Sequence, residues 1–358
     1  VSTLVWGITL AGLIAVLLLD LLIVGRRPHE PSMKEATGWV VLYVAMATVF
    51  GVFVWLGYGA QYGQEFFAGW LTEYSLSIDN LFVFVIIMSR FTVPRIFQQK
   101  VLLIGIVLAL LMRGVFIAAG AALVSRFVWI FYIFGAFLLY TAWTFTRQGE
   151  TDESDFKENA LIRWSRRVLP ISRSYDGAKM TTLSEKGRRI FTPMLIVMIA
   201  IGTTDLIFAL DSIPAIFGLT KEPYLVFTAN VFALMGLRQL YFLLGGLLQR
   251  LVYLSLGLAA ILGFIGVKLI LEALAGNNVP FINGGQPITA VPHITIGWSL
   301  GTIVSILVIA TIASLIKSSR DGRAARKVAA TAAETTRTPA ETTARRPDKS
   351  EREKNGQR

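Results

Sequence analysis

The chain has 358 residues, 54% of them hydrophobic, with a mean hydropathy of +0.61 and a formal net charge of +11 at pH 7. That much apolar sequence exceeds what a soluble domain of this size needs and implies several bilayer crossings of roughly 20 residues each. With no cysteine, and with only His29 and His293, disulfides, thiol chemistry, thiolate metal sites and a histidine metal cluster are excluded.

Nine spanning segments are predicted, at about 3–24, 36–56, 68–89, 100–121, 127–146, 191–217, 223–244, 251–271 and 294–316. The first contains Asp20 and lacks a basic stretch before it, so it reads as a retained helix and not a cleaved leader. Segment 3 carries the run Glu73-Tyr-Ser-Leu-Ser-Ile-Asp79-Asn80-Leu-Phe-Val-Phe, and segment 4 carries Arg113. The connection 147–190 opens acidic and turns basic, and a short surface helix is expected around 156–168. It reads as a solvated connector or as a docking surface.

Segment 6 carries Asp205-Leu-Ile-Phe-Ala-Leu-Asp211-Ser212-Ile-Pro214, and an interruption is expected near Pro214 and Gly218. Segment 7 carries Asn230, Arg238 and Gln239. On segment 8, Lys268 and Glu272 stand four apart and read as a local pair. Residues 1–316 form the membrane domain. The tail, 317–358, holds 12 Lys/Arg and 6 Asp/Glu, about half of the net positive charge. It reads as mostly disordered, with 317–335 extending the last helix for a few turns.

Basic residues concentrate in the odd-numbered loops and the tail, which places the N-terminus outside and the C-terminus in the cytoplasm. Beside a final membrane helix, the basic loops and tail point to anionic lipid headgroups and not to nucleic acid.

Carboxylates at bilayer depth cost several kcal/mol unless paired and mark ion or proton paths. The two acidic motifs share a spacing: Glu73 precedes Asp79 by six residues, and Asp205 precedes Asp211 by six. Each is followed by a helix with a buried arginine, Arg113 or Arg238. Segments 3–5 therefore align with 6–8, and the charge-derived topology makes the repeat inverted, a common alternating-access design. The chain reads as an all-α polytopic transporter.

Six residues turn a helix by about 600°, so the two acids of each motif point about 120° apart. Either a helix is broken at the motif or the acids face different neighbours. Glu73 reads as an entrance group near the outer end of segment 3, with Asp79 nearer the middle and Asp20 a further ligand. Carboxylates, Asn80, Asn230 and the hydroxyls of Thr203, Thr204 and Ser212 are hard donors suited to Mn²⁺, Mg²⁺ or Ca²⁺. The metal candidates are thus Asp79, Asn80, Asp205, Asp211, Glu73 and Asp20, with Arg113, Arg238 and Asn230 compensating charge or gating. Each arginine either holds helices together by pairing with an acid, or neutralises an empty site and withdraws when metal enters.

The two acidic runs, with Asn230-Val-Phe-Ala-Leu-Met-Gly-Leu-Arg238-Gln-Leu-Tyr-Phe, resemble the TerC family of integral membrane proteins over about residues 1–316. The resemblance implies a link to tellurium resistance or, in a related branch, to manganese export and pH-responsive metal homeostasis. It implies the acids Glu73, Asp79, Asp205 and Asp211 as functional, and it supplies the export direction. The expectation is an exporter of divalent cations, Mn²⁺ first, in the cytoplasmic membrane. The metal is substrate, and no tightly bound cofactor is expected. The alternative is a membrane scaffold, docking stress-resistance partners through the 147–190 connection and the tail. No phosphate-binding loop, nucleophile elbow or zinc-protease helix occurs, so an enzyme is not expected.

Overall fold

The computed structural model describes residues 2–26, 32–148, 160–172, 174–183, 187–244 and 253–343. The chain is an integral, multi-pass, all-α membrane protein. Its helices are α1 (Thr3–Arg26), α2 (Met33–Tyr58), α3 (Ala60–Arg90), α4 (Arg95–Arg126), α5 (Ile130–Gln148), α6 (Ala160–Val168), α7 (Pro193–Phe217), α8 (Pro223–Leu234), α9 (Leu237–Leu244), α10 (Leu254–Ala275) and α11 (Ile296–Thr343). Among the described residues seven helical runs are long and apolar enough to cross a bilayer: α2, α3, α4, α7, α8 with α9, α10, and the first half of α11. The other two predicted segments, α1 and α5, are helical. The described apolar run of α1 is short. α5 is diluted by Tyr132, Tyr140 and three threonines before Arg147.

Local chemistry sets the helix boundaries. Ser32 caps α2 by accepting from the Glu35 amide at 3.2 Å, and Glu35 sits at the third helical position, as in a capping box. One residue, Gly59 at φ 110°, separates α2 from α3, a backbone that glycine adopts without strain. Prolines stand at the first position of α7 and α8, where a missing N–H costs nothing.

The expected interruption of segment 6 is not where the break falls. α7 runs unbroken through Pro214 to Phe217. Pro214 lies one turn from the helix end, so its missing donor leaves only the Leu210 carbonyl without its usual partner. The break is in segment 7 instead. α8 ends at Leu234, Met235 is extended, Gly236 takes φ 82°, and α9 resumes at Leu237. This break lies inside the most buried of the spanning runs.

The core holds three clusters. One joins Leu81–Met88 of α3 with the start of α7 and with α9. A second gathers α1, α2, α3, α7 and α8, and a third gathers α3, α5, α7, α10 and α11. α3 takes part in all three. The tightest crossing is between α5 and α10. A Cβ on Gly135 would lie 2.9 Å from the Gly266 carbonyl oxygen and 2.6 Å from Ile270, and one on Gly266 would lie 3.0 Å from the Gly135 oxygen and 3.1 Å from Leu139. Small residues at such a crossing let two backbones touch.

The connection between α5 and α7 is more ordered than a bare linker. Residues 149–159, which include the first four of the expected 156–168 helix, lie outside the described residues, and α6 occupies 160–168. A hairpin unforeseen from sequence pairs Thr181–Leu183 with Arg189–Phe191 in antiparallel register. Ahead of the hairpin, Tyr175 fastens the connection to the end of α3 by donating to the Phe91 carbonyl at 2.6 Å. α11 continues to Thr343, past the expected limit near 335, through an alanine-rich stretch of high helix propensity. Residues 344–358 lie outside the described residues.

Candidate functional site

Helical geometry decides which polar groups meet. On α3, Glu73, Ser77 and Asn80 stand at i, i+4 and i+7 and share one face. All three are buried, at 0%, 0% and 6% exposure. On α7, Asp205 and Ser212 stand at i and i+7 and are likewise buried. α3, α4, α7 and α8 pack together so that these faces enclose Arg113 of α4.

Arg113 is the centre of the site. Its guanidinium forms an ion pair with Glu73, donates from Nη1 to Asn230 Oδ1 at 2.9 Å and reaches Asp205 Oδ1 with Nη2 at 3.4 Å. Glu73, Arg113, Asp205 and Asn230 are each at most 4% exposed. The leading acids of the two repeated motifs therefore converge on a single cation. Glu73 does not stand near a helix end, where the sequence reading placed it. It lies near the middle of the 31-residue α3, because that helix begins at Ala60, eight residues before the predicted segment.

The second acids diverge, as the 120° offset requires. Asp79 is half-buried and accepts from Ser255 Oγ of α10 at 3.3 Å. Asp211 is half-buried and accepts from Thr141 Oγ1 of α5 at 3.0 Å. The predicted metal cluster of Asp79, Asn80, Asp205 and Asp211 is thus divided among different neighbours. Among the described residues, no group of three or more His, Asp or Glu side chains is placed to hold a metal ion. Asp20 is on α1, but its side chain lies outside those described. Arg238 is buried at the start of α9, just past the helix break. Thr203 spends its hydroxyl on the Ile199 carbonyl at 2.7 Å.

The centre is under-compensated. Two carboxylates face one guanidinium, and Asp205 Oδ2, Glu73 Oε2 and Arg113 Nε have no hydrogen-bond partner among the described residues. The buried hydroxyls of Thr72, Ser77 and Ser212 likewise have none. Buried polar groups are nearly always satisfied, so each of these calls for a partner such as an ordered water or an ion. With the guanidinium displaced, Glu73, Asp205 and Asn230 would present carboxylate and amide oxygen, the donor set of a hard divalent cation.

Sequence reasoning missed Thr141 and Ser255, which carry no charge, and Glu65. Glu65 is 8% exposed, accepts from Thr220 Oγ1 at 2.6 Å and Gln61 Nε2 at 3.0 Å, and lines a cavity of about 840 Å³. Lys221, Lys268, Glu272 and His293 also line that cavity. Glu272 pairs with Lys221 of the α7–α8 turn at 2.5 Å, and Lys268, four residues before it on α10, also lies within range of its charge.

Fold and site together define a polytopic helical membrane protein built round a buried, ion-paired carboxylate centre. The chain belongs to the integral membrane protein TerC family, whose model matches residues 58–322. It is 48% identical over 316 residues to an uncharacterized membrane protein of Mycobacterium tuberculosis, covering 87% of this chain and 79% of the relative. It is 40% identical over 313 residues to an uncharacterized membrane protein of Myxococcus xanthus, covering 87% and 92%. A protein of Escherichia coli K12 named as a candidate membrane-bound redox modulator, Alx, is 38% identical over 321 residues, covering 87% and 94%. No solved structure matches the chain.

Proposed function

We propose that this protein exports a hard divalent cation, Mn²⁺ foremost, across the cytoplasmic membrane by alternating access. The observation that carries the reading is the meeting of Glu73 and Asp205, from two separate motifs, with Asn230 around one buried guanidinium. In this reading Arg113 is a tethered cation holding the site between cycles. The metal replaces it and is bound by the two carboxylates and the Asn230 oxygen. From the centre, the Ser77–Asn80 face of α3 leads to one side of the bundle, and Ser212 on α7 leads to the other. When metal leaves and Arg113 returns, two negative charges again face one positive charge. One proton balances the remainder, which supports metal–proton exchange.

The helix packing supports an inverted repeat, and with it the same mechanism. α3 packs on α8 while α7 packs on α4, and α5 packs on α10. Each relation maps onto itself or its partner when the two halves are exchanged. Asp79 bonding to α10 and Asp211 bonding to α5 follow the same exchange. The Gly135–Gly266 crossing is symmetric in its contacts, each glycine facing the other's carbonyl and the residue four beyond it. Counting α1 and α5 as spans gives nine crossings, with the N-terminus outside and the tail cytoplasmic. The redox label of the Alx relatives does not transfer as dithiol chemistry, since this chain has no cysteine.

The test is Mn²⁺ flux into proteoliposomes, with Mg²⁺, Ca²⁺ and Zn²⁺ as competitors, for wild type beside Glu73→Gln and Asp205→Asn. Saturable wild-type flux lost in both folded variants supports the assignment. Folded wild-type protein that moves none of these ions sinks it, and a scaffold whose acids merely staple helices then becomes the better account.

A further inference from the structure

We infer that α6 is an anionic-lipid anchor lying in the headgroup layer, fixed to the start of α7. The inference does not depend on what the protein transports. α6 is short but sharply divided. Ile162 and Ser165 are buried at 1% and 2% exposure, and Ile162 belongs to the cluster of Met194 and Val197 on α7. The outward side carries two adjacent stripes at i, i+4 spacing, about 100° apart. One is Arg163 and Arg167, both exposed. The other is Trp164 and Val168, 58% and 56% exposed.

An exposed tryptophan and valine beside two arginines is costly in water and favourable at a bilayer surface, where the ring sits among headgroups and guanidinium groups bind phosphate. The height is fixed by the fold. α6 packs on α7, close to where that spanning helix begins at Pro193. Other interfacial pairs lie on the same face of the bundle. Arg147 stacks over Trp143 at the end of α5 at 4.0 Å, and Lys317 stacks over Tyr253 at 5.3 Å. In the orientation proposed above this is the cytoplasmic leaflet, whose negative surface attracts nearby Lys and Arg. Because α7 bears Asp205, an anchored α6 ties the placement of one half of the centre to lipid composition.

The test uses the full chain in liposomes of phosphatidylcholine, with or without phosphatidylglycerol. Trp164→Cys and Val168→Cys each introduce a unique cysteine for a nitroxide label, because the chain has none. Lys179→Cys, at a side chain 72% exposed, is the water-facing control. Labels at 164 and 168 should collide more with oxygen than with a water-soluble nickel chelate, and the label at 179 should do the reverse. Phosphatidylglycerol should strengthen the lipid signature at 168, and Arg163→Gln/Arg167→Gln should abolish that gain. Nickel exposure at 164 and 168 equal to that at 179 would overturn the anchor. So would shielding from both reagents, which would mean a protein covers the helix, and so would indifference to phosphatidylglycerol.

Discussion

A guanidinium held between two buried carboxylates is energetically lopsided, and that imbalance makes Arg113 the most informative residue to change. Removing one partner of a buried ionic group typically costs about 3–5 kcal/mol, because the remaining charge is left without compensation. Arg113→Gln strands both Glu73 and Asp205, so the apo variant should unfold at markedly lower temperature than wild type in detergent. If the guanidinium occupies the cation position, Mn²⁺ should restore more stability to Arg113→Gln than it adds to wild type. A variant equally destabilised but indifferent to Mn²⁺ would make Arg113 a structural staple only. Glu73→Gln and Asp205→Asn remove charge where it is in excess, so both should insert and fold while losing flux. Among the described residues, Asp79→Asn and Asp211→Asn each touch a hydroxyl contact, with Ser255 and Thr141. They should reduce flux less than the central pair does, as initial rates in proteoliposomes would show. All four acids stood out in the sequence, since charge in apolar runs is conspicuous. Which pair meets was not legible. The helical wheel sets the 120° between two acids on one helix but says nothing about how that helix is turned in the bundle. Thr141 and Ser255 were invisible for the opposite reason, as uncharged residues common in any membrane helix.

Helices were legible in outline and misread at their irregularities. Proline looked like the interrupter, yet near a helix end it forfeits a single bond, as Pro214 does in α7. The real break needed a residue free to adopt positive φ and a neighbour pressed against it. Gly236 has φ 82°, and a Cβ there would stand 3.0 Å from Tyr43 Cδ2. Gly236→Ala should therefore cost about 1–2 kcal/mol from left-handed backbone alone, with further loss if Tyr43 cannot yield. Thermal unfolding of the purified variant would measure this. A value within error of wild type would mean α8 and α9 rejoin as one helix. The α5–α10 crossing is a different use of glycine. Gly135→Val or Gly266→Val must push backbones apart, and overpacking of this kind costs about 1–3 kcal/mol. If the crossing is the axis about which the halves rock, the two variants should slow flux by similar factors, since each glycine meets the other's counterpart. A strong effect from one and none from the other would argue against an exchange of equivalent halves.

At the scale of the whole molecule, the proposed mechanism stands or falls on the inversion of the two halves, and inversion is a statement about topology. In the proposed topology each odd-numbered loop lies on one side, and α3 and α7, each with its pair of acids, run in opposite directions through the bilayer. The absence of cysteine makes this directly measurable. Single cysteines at Ser2, Thr92, Lys179 and Thr295, placed before α1, between α3 and α4, in the α5–α7 connection and before α11, each report one loop. In intact cells a membrane-impermeant maleimide should label positions 2 and 295 and leave 92 and 179 protected until the membrane is opened. That pattern requires α1 to cross, because Ser2 and the α3–α4 loop then lie on opposite sides with three helices between them. It also requires α5 to cross, because the α3–α4 loop and the α5–α7 connection share a side only if both α4 and α5 span. Labelling at 179 but not at 92 would drop α5 from the spans. α7 would then run parallel to α3, and the inverted repeat and the alternating-access reading built on it would go together.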